Sequence, residues 1–252
     1  MAETNATEFY EDYWSRTEQQ RMYGPVARHT RRLIRQAIAG LEYRTVLDVG
    51  CGEGSLIRDL ASRRAGLDIT GTDLSPRAIE LAARKNPALQ FKVLDLAAAP
   101  LPQRFDLVVC SEVIEHIPDD GQAVRNLAAM TGHYLVITTL GGRRRRHEEN
   151  IGHLRNYDPA ALAAMVAATG LHVARLIQWG WPFYSPLYRN ALERWVGRDR
   201  GLGTGAFGWP ARAAAAALYA LFLLNSARKG DQLVLLAERQ SGGDRVAAGP
   251  TG

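Results

Sequence analysis

Three glycines stand at alternate positions in VLDVGCGEGS, residues 46–55: Gly50, Gly52 and Gly54. Asp48 precedes them and Glu53 lies among them. A glycine-rich turn after a first strand lets the backbone come close to a ligand. A pyrophosphate asks for G-x-G-x-x-G, with the phosphates at a helix N-terminus. The spacing here is G-x-G-x-G, and the two carboxylates repel phosphate. Asp48 suits the ammonium of an amino acid instead. Asp73 follows the turn by about 20 residues, the distance at which a carboxylate binds ribose hydroxyls. A ligand with an adenosine, an amino-acid end and no phosphate meets all three conditions. S-adenosylmethionine is such a ligand, and the same features disfavour a nicotinamide cofactor.

The elements that must hold these residues are legible as alternation. RTVLDVG, LDITGTD, LQFKVLD, FDLVVCSE and HYLVITTL read as short, apolar strands. Between them EGSLIRDLASRR carries helical spacing at Leu56, Ile57, Leu60 and Ala61, and PRAIELAARK and DDGQAVRNLAAM read as helices. Pro76 at a first helical position behind Ser75 predicts an N-cap. DPAALAAMVAATG predicts a helix capped by Asp158 and ended at Gly170. LHVARLIQWG is a sixth strand and DQLVLLAER a last one. Apolar strands alternating with helices imply a parallel sheet covered on both faces. Right-handed crossovers then give a doubly wound α/β fold. Two helices are expected before it, over residues 7–20 and 24–39.

Four segments in order, VLDVGCGEGSLIRDLA, GTDLSPRAIELAARK, VLDLAAAPLPQRFDLVVCSEVIEHIPD and GHLRNYDPAALAAMVAATGL, closely resemble class I S-adenosylmethionine-dependent methyltransferases. The likeness is to the small-molecule branch, which includes quinone-biosynthesis and natural-product enzymes. It covers about residues 44–176 and the final strand, weakens before Arg44, and fails over 181–228. It implies a mostly parallel seven-stranded sheet, Rossmann-like, with an antiparallel last strand. It implies one methyltransferase domain over 1–240: an N-terminal helical cap (1–43), a cofactor-binding core (44–178), a helical substrate-side insertion (179–230) and the last strand (231–239). The tail 241–252 is expected to be disordered. By the same resemblance, Asp48, Gly50, Cys51, Gly52 and Gly54 wrap the methionine part. Asp73 takes the ribose hydroxyls with Leu74 against the adenine. Asp95 and Leu96 meet the adenine, and Ser111 and Glu112 line the floor below the sulfonium.

Methyl transfer is an in-line displacement in which the protein supplies proximity and orientation; transfer to oxygen or nitrogen adds a base. His116, after the fourth strand, and His153, after the fifth, are the candidate catalytic residues, each also readable as a local strut. His147 and Tyr157 are weaker candidates, and His29, on an arginine-rich helix, is expected to be solvated. Substrate walls are expected from Trp181, Phe183, Tyr184 and Tyr188, with Trp179 and Trp195 nearby. Tyr157 lies on the same side, and Tyr13 and Trp14 close over from the N-terminus, with Phe9 and Tyr10. No His/Cys/Asp cluster has metal-ligand spacing, so no metal is expected. Arg143–Arg146 read as a solvated loop or as a surface for an anionic group.

Composition bounds the rest. The 252 residues carry a net charge of +5, with lysine only at 85, 92 and 229. That mild, arginine-based charge and the nearby Glu148 and Glu149 argue against a nucleic-acid partner. Two cysteines, Cys51 and Cys110, make no disulfide framework and fit a reducing, cytoplasmic setting. The N-terminus has no apolar signal region, and no apolar run reaches the roughly 20 residues of a membrane span. The reading is therefore S-adenosylmethionine-dependent methylation of a hydroxyl, less readily an amine or carbon, on a mostly apolar small molecule. The alternatives are a peptide or protein methyltransferase docking through Arg143–Arg146, and a cofactor-binding protein without chemistry.

Overall fold

The computed structural model describes residues 22–195 and 208–240. The helix expected over 7–20, with Tyr13 and Trp14, the glycine-rich loop before Gly208 and the tail from 241 lie outside them. In chain order the elements are α1 (Pro25–Ala37), β1 (Thr45–Val49), α2 (Ser55–Ala61), β2 (Asp68–Asp73), α3 (Pro76–Lys85), β3 (Gln90–Val93) and β4 (Phe105–Ser111). A 3-10 turn (Ile114–His116) leads to α4 (Asp120–Met130), β5 (Thr131–Leu140), α5 (Arg146–Asn150), α6 (Pro159–Ala167) and β6 (His172–Trp179). A kinked turn (Phe183–Tyr188), α7 (Arg189–Trp195), α8 (Trp209–Phe222) and β7 (Gln232–Glu238) complete the chain.

The seven strands form one sheet in the order β3-β2-β1-β4-β5-β7-β6. β7 runs antiparallel to both neighbours, and the other pairings are parallel. Strand order reverses between β1 and β4, so a crevice opens at their carboxyl ends, the usual ligand position in such sheets. Alternate strand residues feed opposite faces. Leu47, Val108, Leu135 and Leu235 pack against α4 and α6 on one side. Val46, Leu107, Val136 and Val234 pack against α1 and α2 on the other. Each such side chain contributes about 1.5–3 kcal/mol by leaving water.

Local chemistry sets the helix starts as expected. Ser75 Oγ accepts the Ala78 N–H at 3.2 Å, and Asp158 Oδ1 accepts those of Ala160 and Ala161 at 2.9 and 3.0 Å. β5 begins two residues before the apolar run, at Thr131. Thr131 Oγ1 donates to Leu127 O at 2.8 Å, and its backbone pairs with Phe105 across an irregular register.

His29 departs from expectation: it is fully buried rather than solvated. Its ring stacks on Tyr219 at 4.2 Å and on Trp179 at 4.7 Å, because α8 docks over α1. Nε2 bonds the Tyr219 carbonyl at 3.0 Å and Nδ1 accepts from Arg32 Nε at 3.2 Å, which fixes a neutral ring. Burial lowers its pKa to about 4. The unfolded chain therefore binds this proton between about pH 6.5 and 4 while the folded chain does not. The stability is complete above 6.5 and is lost as pH falls through that window, by about 3 kcal/mol at most. Urea unfolding at pH 7 and pH 4.5 should show His29→Gln losing less on acidification than the parent. Equal losses contradict the assignment.

Candidate active site

The glycine turn sits where the sheet order reverses. Gly50, Gly52 and Gly54 all have positive φ, at 72°, 55° and 80°. The N–H groups of Gly50 and Cys51 donate to Thr72 O at 2.7 and 2.8 Å, tying the turn to β2. A Cβ on Gly50 would lie 2.2 Å from Val113 Cγ2, so no other residue fits that conformation and that space.

Asp48, Glu53 and Asp73 are all buried around this turn. Glu53 is neutralised by Lys85 at 3.0 Å and Arg58 at 3.6 Å. Asp73 accepts the N–H of Gly52 on Oδ2 and of Ser75 on Oδ1, both at 2.9 Å. A carboxylate can accept more than two hydrogen bonds, which suits it to a ligand's hydroxyls as well. Burial, then Asp48 and Asp73, push the Cys51 thiol well above its usual range. The side chains around the turn are therefore acceptors with net negative charge at Asp48 and Asp73, which opposes a pyrophosphate and fits the ammonium, sulfonium and ribose of S-adenosylmethionine.

Around the rim, Leu74 is 39% exposed beside Asp73. Asp95 is exposed and its Oδ1 accepts the Ala97 N–H at 2.9 Å. Leu96 turns inward and packs in the core beside α4. On the floor, Glu112 is the one non-glycine with positive φ among the described residues, at 56°. Such a conformation costs of order 1 kcal/mol and is held only where neighbours impose it. Here the Glu112 N–H donates to Thr138 O at 2.9 Å. Its Oε1 accepts from Thr138 Oγ1 and Gln232 Nε2, each at 2.8 Å. Thr138 Oγ1 then receives its own bond from Ser111 Oγ, at 2.9 Å.

The two candidate histidines meet. The His116 and His153 rings stand edge to face with centroids 4.7 Å apart. The loop after α5 is stitched to the 3-10 turn by Leu154 N–H to Glu115 O at 2.9 Å and to the start of α4 by Arg155 to Asp120 at 2.7 Å. Tyr157 belongs to the same seam. It is buried, and its hydroxyl bonds Asp120 Oδ2 at 2.8 Å and Ile114 O at 3.2 Å. Burial lowers His153 to about 4, so it is neutral at physiological pH. Glu115 lies between the strands and these rings with no exposed surface, and its Oε2 accepts from Thr139 Oγ1 at 2.9 Å. Burial, then the charge of Glu112, push its carboxyl well above the usual range.

Comparison with known proteins bears on this arrangement. A family described as a methyltransferase domain matches residues 19–176. The chain belongs to the class I S-adenosylmethionine-dependent methyltransferases. A ubiquinone biosynthesis O-methyltransferase of Leptothrix cholodnii is 30% identical over 180 residues, 67% of this chain and 68% of that protein. The protein of the same name from Alkalilimnicola ehrlichii is 36% identical over 116 residues, 42% of this chain and 46% of its own length. For relatives of that kind the chain spans about half their length. The magnesium protoporphyrin IX methyltransferase of Synechocystis, solved with bound S-adenosylmethionine, superposes with a TM-score of 0.59 at 18% identity, over 94% of this chain and 96% of that one. That likeness speaks to the fold.

The methyltransferase departs from its sequence expectation beside the histidines. The arginine run is solvated at Arg143, Arg144 and Arg146, which are exposed, but it is also tied down. Arg143 pairs with Glu193, Arg144 with Glu149 at 3.2 Å, and Arg145 is buried with its guanidinium on Asn190 Oδ1 at 3.0–3.1 Å. The run continues into α5, whose start is closed by the Arg145 N–H donating to Glu148 Oε2 at 3.0 Å. Glu three residues after the cap was the available signal.

Behind it lies a buried ionic knot that sequence reading missed. Arg189 and Glu148 are each 1% exposed and joined by two bonds, one of them Nε to Oε1 at 3.0 Å. Arg189 also grips Asp231 and the Gly141 carbonyl, the latter at 3.2 Å. Ser185 donates to the same Asp231. This knot fastens the segment after β6 to the ends of β5 and β7. Of that segment's aromatics, Tyr184 is buried and stacks on Trp179 at 5.3 Å. Phe183 and Tyr188 are half-buried, and Trp181 is 45% exposed under Lys229 Nζ at 5.1 Å. No helix among the described residues is long and apolar enough to cross a membrane.

Proposed function

We propose that this chain methylates a hydroxyl of a mostly apolar, quinone-like small molecule. The observation that carries the reading is the pairing of His116 and His153, His116 standing in the 3-10 turn that follows β4, where the cofactor crevice opens. The names of the relatives, O-methyltransferases of ubiquinone biosynthesis, support oxygen as the acceptor atom. S-adenosylmethionine supplies a sulfonium methyl that an acceptor lone pair takes in line, leaving a neutral thioether. Asp48 and the turn of Gly50, Cys51, Gly52 and Gly54 bind the amino-acid end. Asp73 and Leu74 take the ribose and one adenine face, with Asp95 and Leu96 at the adenine edge. Ser111 and Glu112 form the floor.

The acceptor's proton then remains for the protein to move. His116, half-buried, and His153 are the candidate acceptors of it. The described residues after β6 form the substrate side, with Trp181, Phe183 and Tyr188 as apolar wall. The ion pairs of Arg143 and Arg144 and the burial of Arg145 give no support to a peptide docking there.

The test is release of S-adenosylhomocysteine with phenolic and quinol acceptors. His116→Ala or His153→Ala should slow turnover about 100-fold or more, with S-adenosylhomocysteine affinity unchanged. A loss of only a few-fold in both removes the assignment of a histidine base.

A further inference from the structure

We propose that the outward face of α8 docks the protein on an anionic lipid surface. The helix lies beyond residues 19–176, the stretch matched by the family, so the shared methyltransferase core does not account for it. Its sequence, WPARAAAAALYALF, carries one charge, at Arg212. Ala215 and Phe222 are buried, Leu218 and Tyr219 are half-buried, and this side packs toward α1 through Tyr219 on His29. Trp209, Ala213, Ala216 and Ala220 lie on the opposite side at helical spacing. Leu223 and Leu224 extend that side past the helix end, and all six are exposed. Trp209 is 82% and Leu224 70% exposed. A helix apolar all round belongs in an interior, and here only one side has one.

Charge selects the occupant. Residues 209–230 contain no Asp or Glu and carry Arg212, Arg228 and Lys229, all exposed. The neighbouring α1 carries Arg28, Arg31, Arg32 and Arg35 and again no carboxylate. Arg28 lies over the Tyr219 ring at 3.9 Å, so the basic side of α1 adjoins α8. An exposed apolar patch rimmed by cations is what a membrane-surface helix presents. Each cation near an anionic leaflet adds to the attraction. A second copy of the chain would set this face against itself in a two-fold pair. That arrangement places the cations of one copy against those of the other. Anionic lipid matches both the apolar and the cationic part of the patch.

The helix has 14 residues, about 21 Å at 1.5 Å per residue, against about 30 Å of bilayer hydrocarbon. It therefore lies in the interface rather than across it, a depth that suits the indole of Trp209. Trp181 stands at the far end of the same patch. Its carbonyl accepts the Ser226 N–H at 2.8 Å and its own N–H donates to Lys229 O at 3.0 Å. One consequence rests on the reading above: an apolar acceptor dissolved in the lipid passes along Trp181 into the site. The docking itself does not rest on that reading.

The experiment is co-sedimentation of the purified full chain with vesicles of phosphatidylcholine alone and of phosphatidylcholine mixed with phosphatidylglycerol. The chain should pellet with the mixed vesicles, and less so at high salt. Leu224→Glu and Trp209→Ser, both at exposed positions, should each weaken that binding by about tenfold. Arg228→Gln combined with Lys229→Gln should weaken it by about tenfold. Calorimetric titration with S-adenosylhomocysteine should give the parent affinity in every variant. No pelleting with the mixed vesicles, equal pelleting with both kinds, or pelleting indifferent to Leu224→Glu overturns the proposal. A dimer in light scattering that Leu224→Glu dissociates assigns the face to a second copy and overturns it as well. If S-adenosylhomocysteine still binds in those cases, the methyltransferase reading survives and only the lipid surface falls.

Discussion

Replacing Arg189 by alanine should cost about 3–5 kcal/mol of folding stability. The guanidinium lies in the interior with one face on Glu148, another on Asp231 and a third bond to the Gly141 carbonyl. Burial alone would raise the Glu148 carboxyl; the Arg189 charge and its hydrogen bonds outweigh burial and hold it below the usual range. Removing Arg189 strands that carboxylate where water cannot reach it. Glu148→Gln should be damaging for the converse reason. The double substitution, Arg189→Met with Glu148→Gln, should recover part of the loss, since a buried pair replaced as a whole often costs little. Urea unfolding of the three variants checks this. A loss under about 1 kcal/mol for Arg189→Ala would show that solvent reaches the knot. Because the knot fastens the segment from Ser185 onward to the strand ends, these variants should also raise the KM for the acceptor before they alter cofactor affinity.

The second large effect is expected at Asp73. Its carboxylate holds the turn through Gly52 and Ser75, and the proposed role adds hydrogen bonds from the ribose hydroxyls. Hydrogen bonds to a charged group contribute about 1.5–3 kcal/mol each. Asp73→Ala should therefore weaken S-adenosylhomocysteine binding by about 100-fold or more. The two N–H groups lose their acceptor as well, so a lower melting temperature should accompany the loss. Asp95→Ala is a useful contrast, because Asp95 is exposed and its one assigned bond is local. It should weaken binding less. Equal affinity in Asp73→Ala and parent contradicts the ribose assignment.

The parts of this structure that were legible in the sequence are those set by near neighbours. Ser75 with Pro76, and Asp158 with Pro159, mark helix starts because a side-chain oxygen reaches an amide two or three residues on. The strand alternation is visible because each strand must feed two apolar faces. The glycine turn is visible because positive φ and a crowded Val113 exclude other residues. What stayed hidden is set by distant partners. His29 looked solvated because its neighbours in sequence are arginines, while its contact, Tyr219, lies 190 residues away. Glu115 gave no sign of complete burial beside His153. Arg189 follows Tyr188 as one charge in an aromatic stretch, and nothing local says that Glu148 and Asp231 receive it. The arginine run hid a short helix because α5 has no apolar period to reveal it.

The most direct test of the central claim is calorimetric titration of the purified chain with S-adenosylhomocysteine and, separately, with NADH. The anionic turn of Asp48, Asp73 and three glycines predicts micromolar or tighter binding of the first and none of the second. Binding of NADH, or of neither ligand, contradicts the account of the turn on which the proposed chemistry depends.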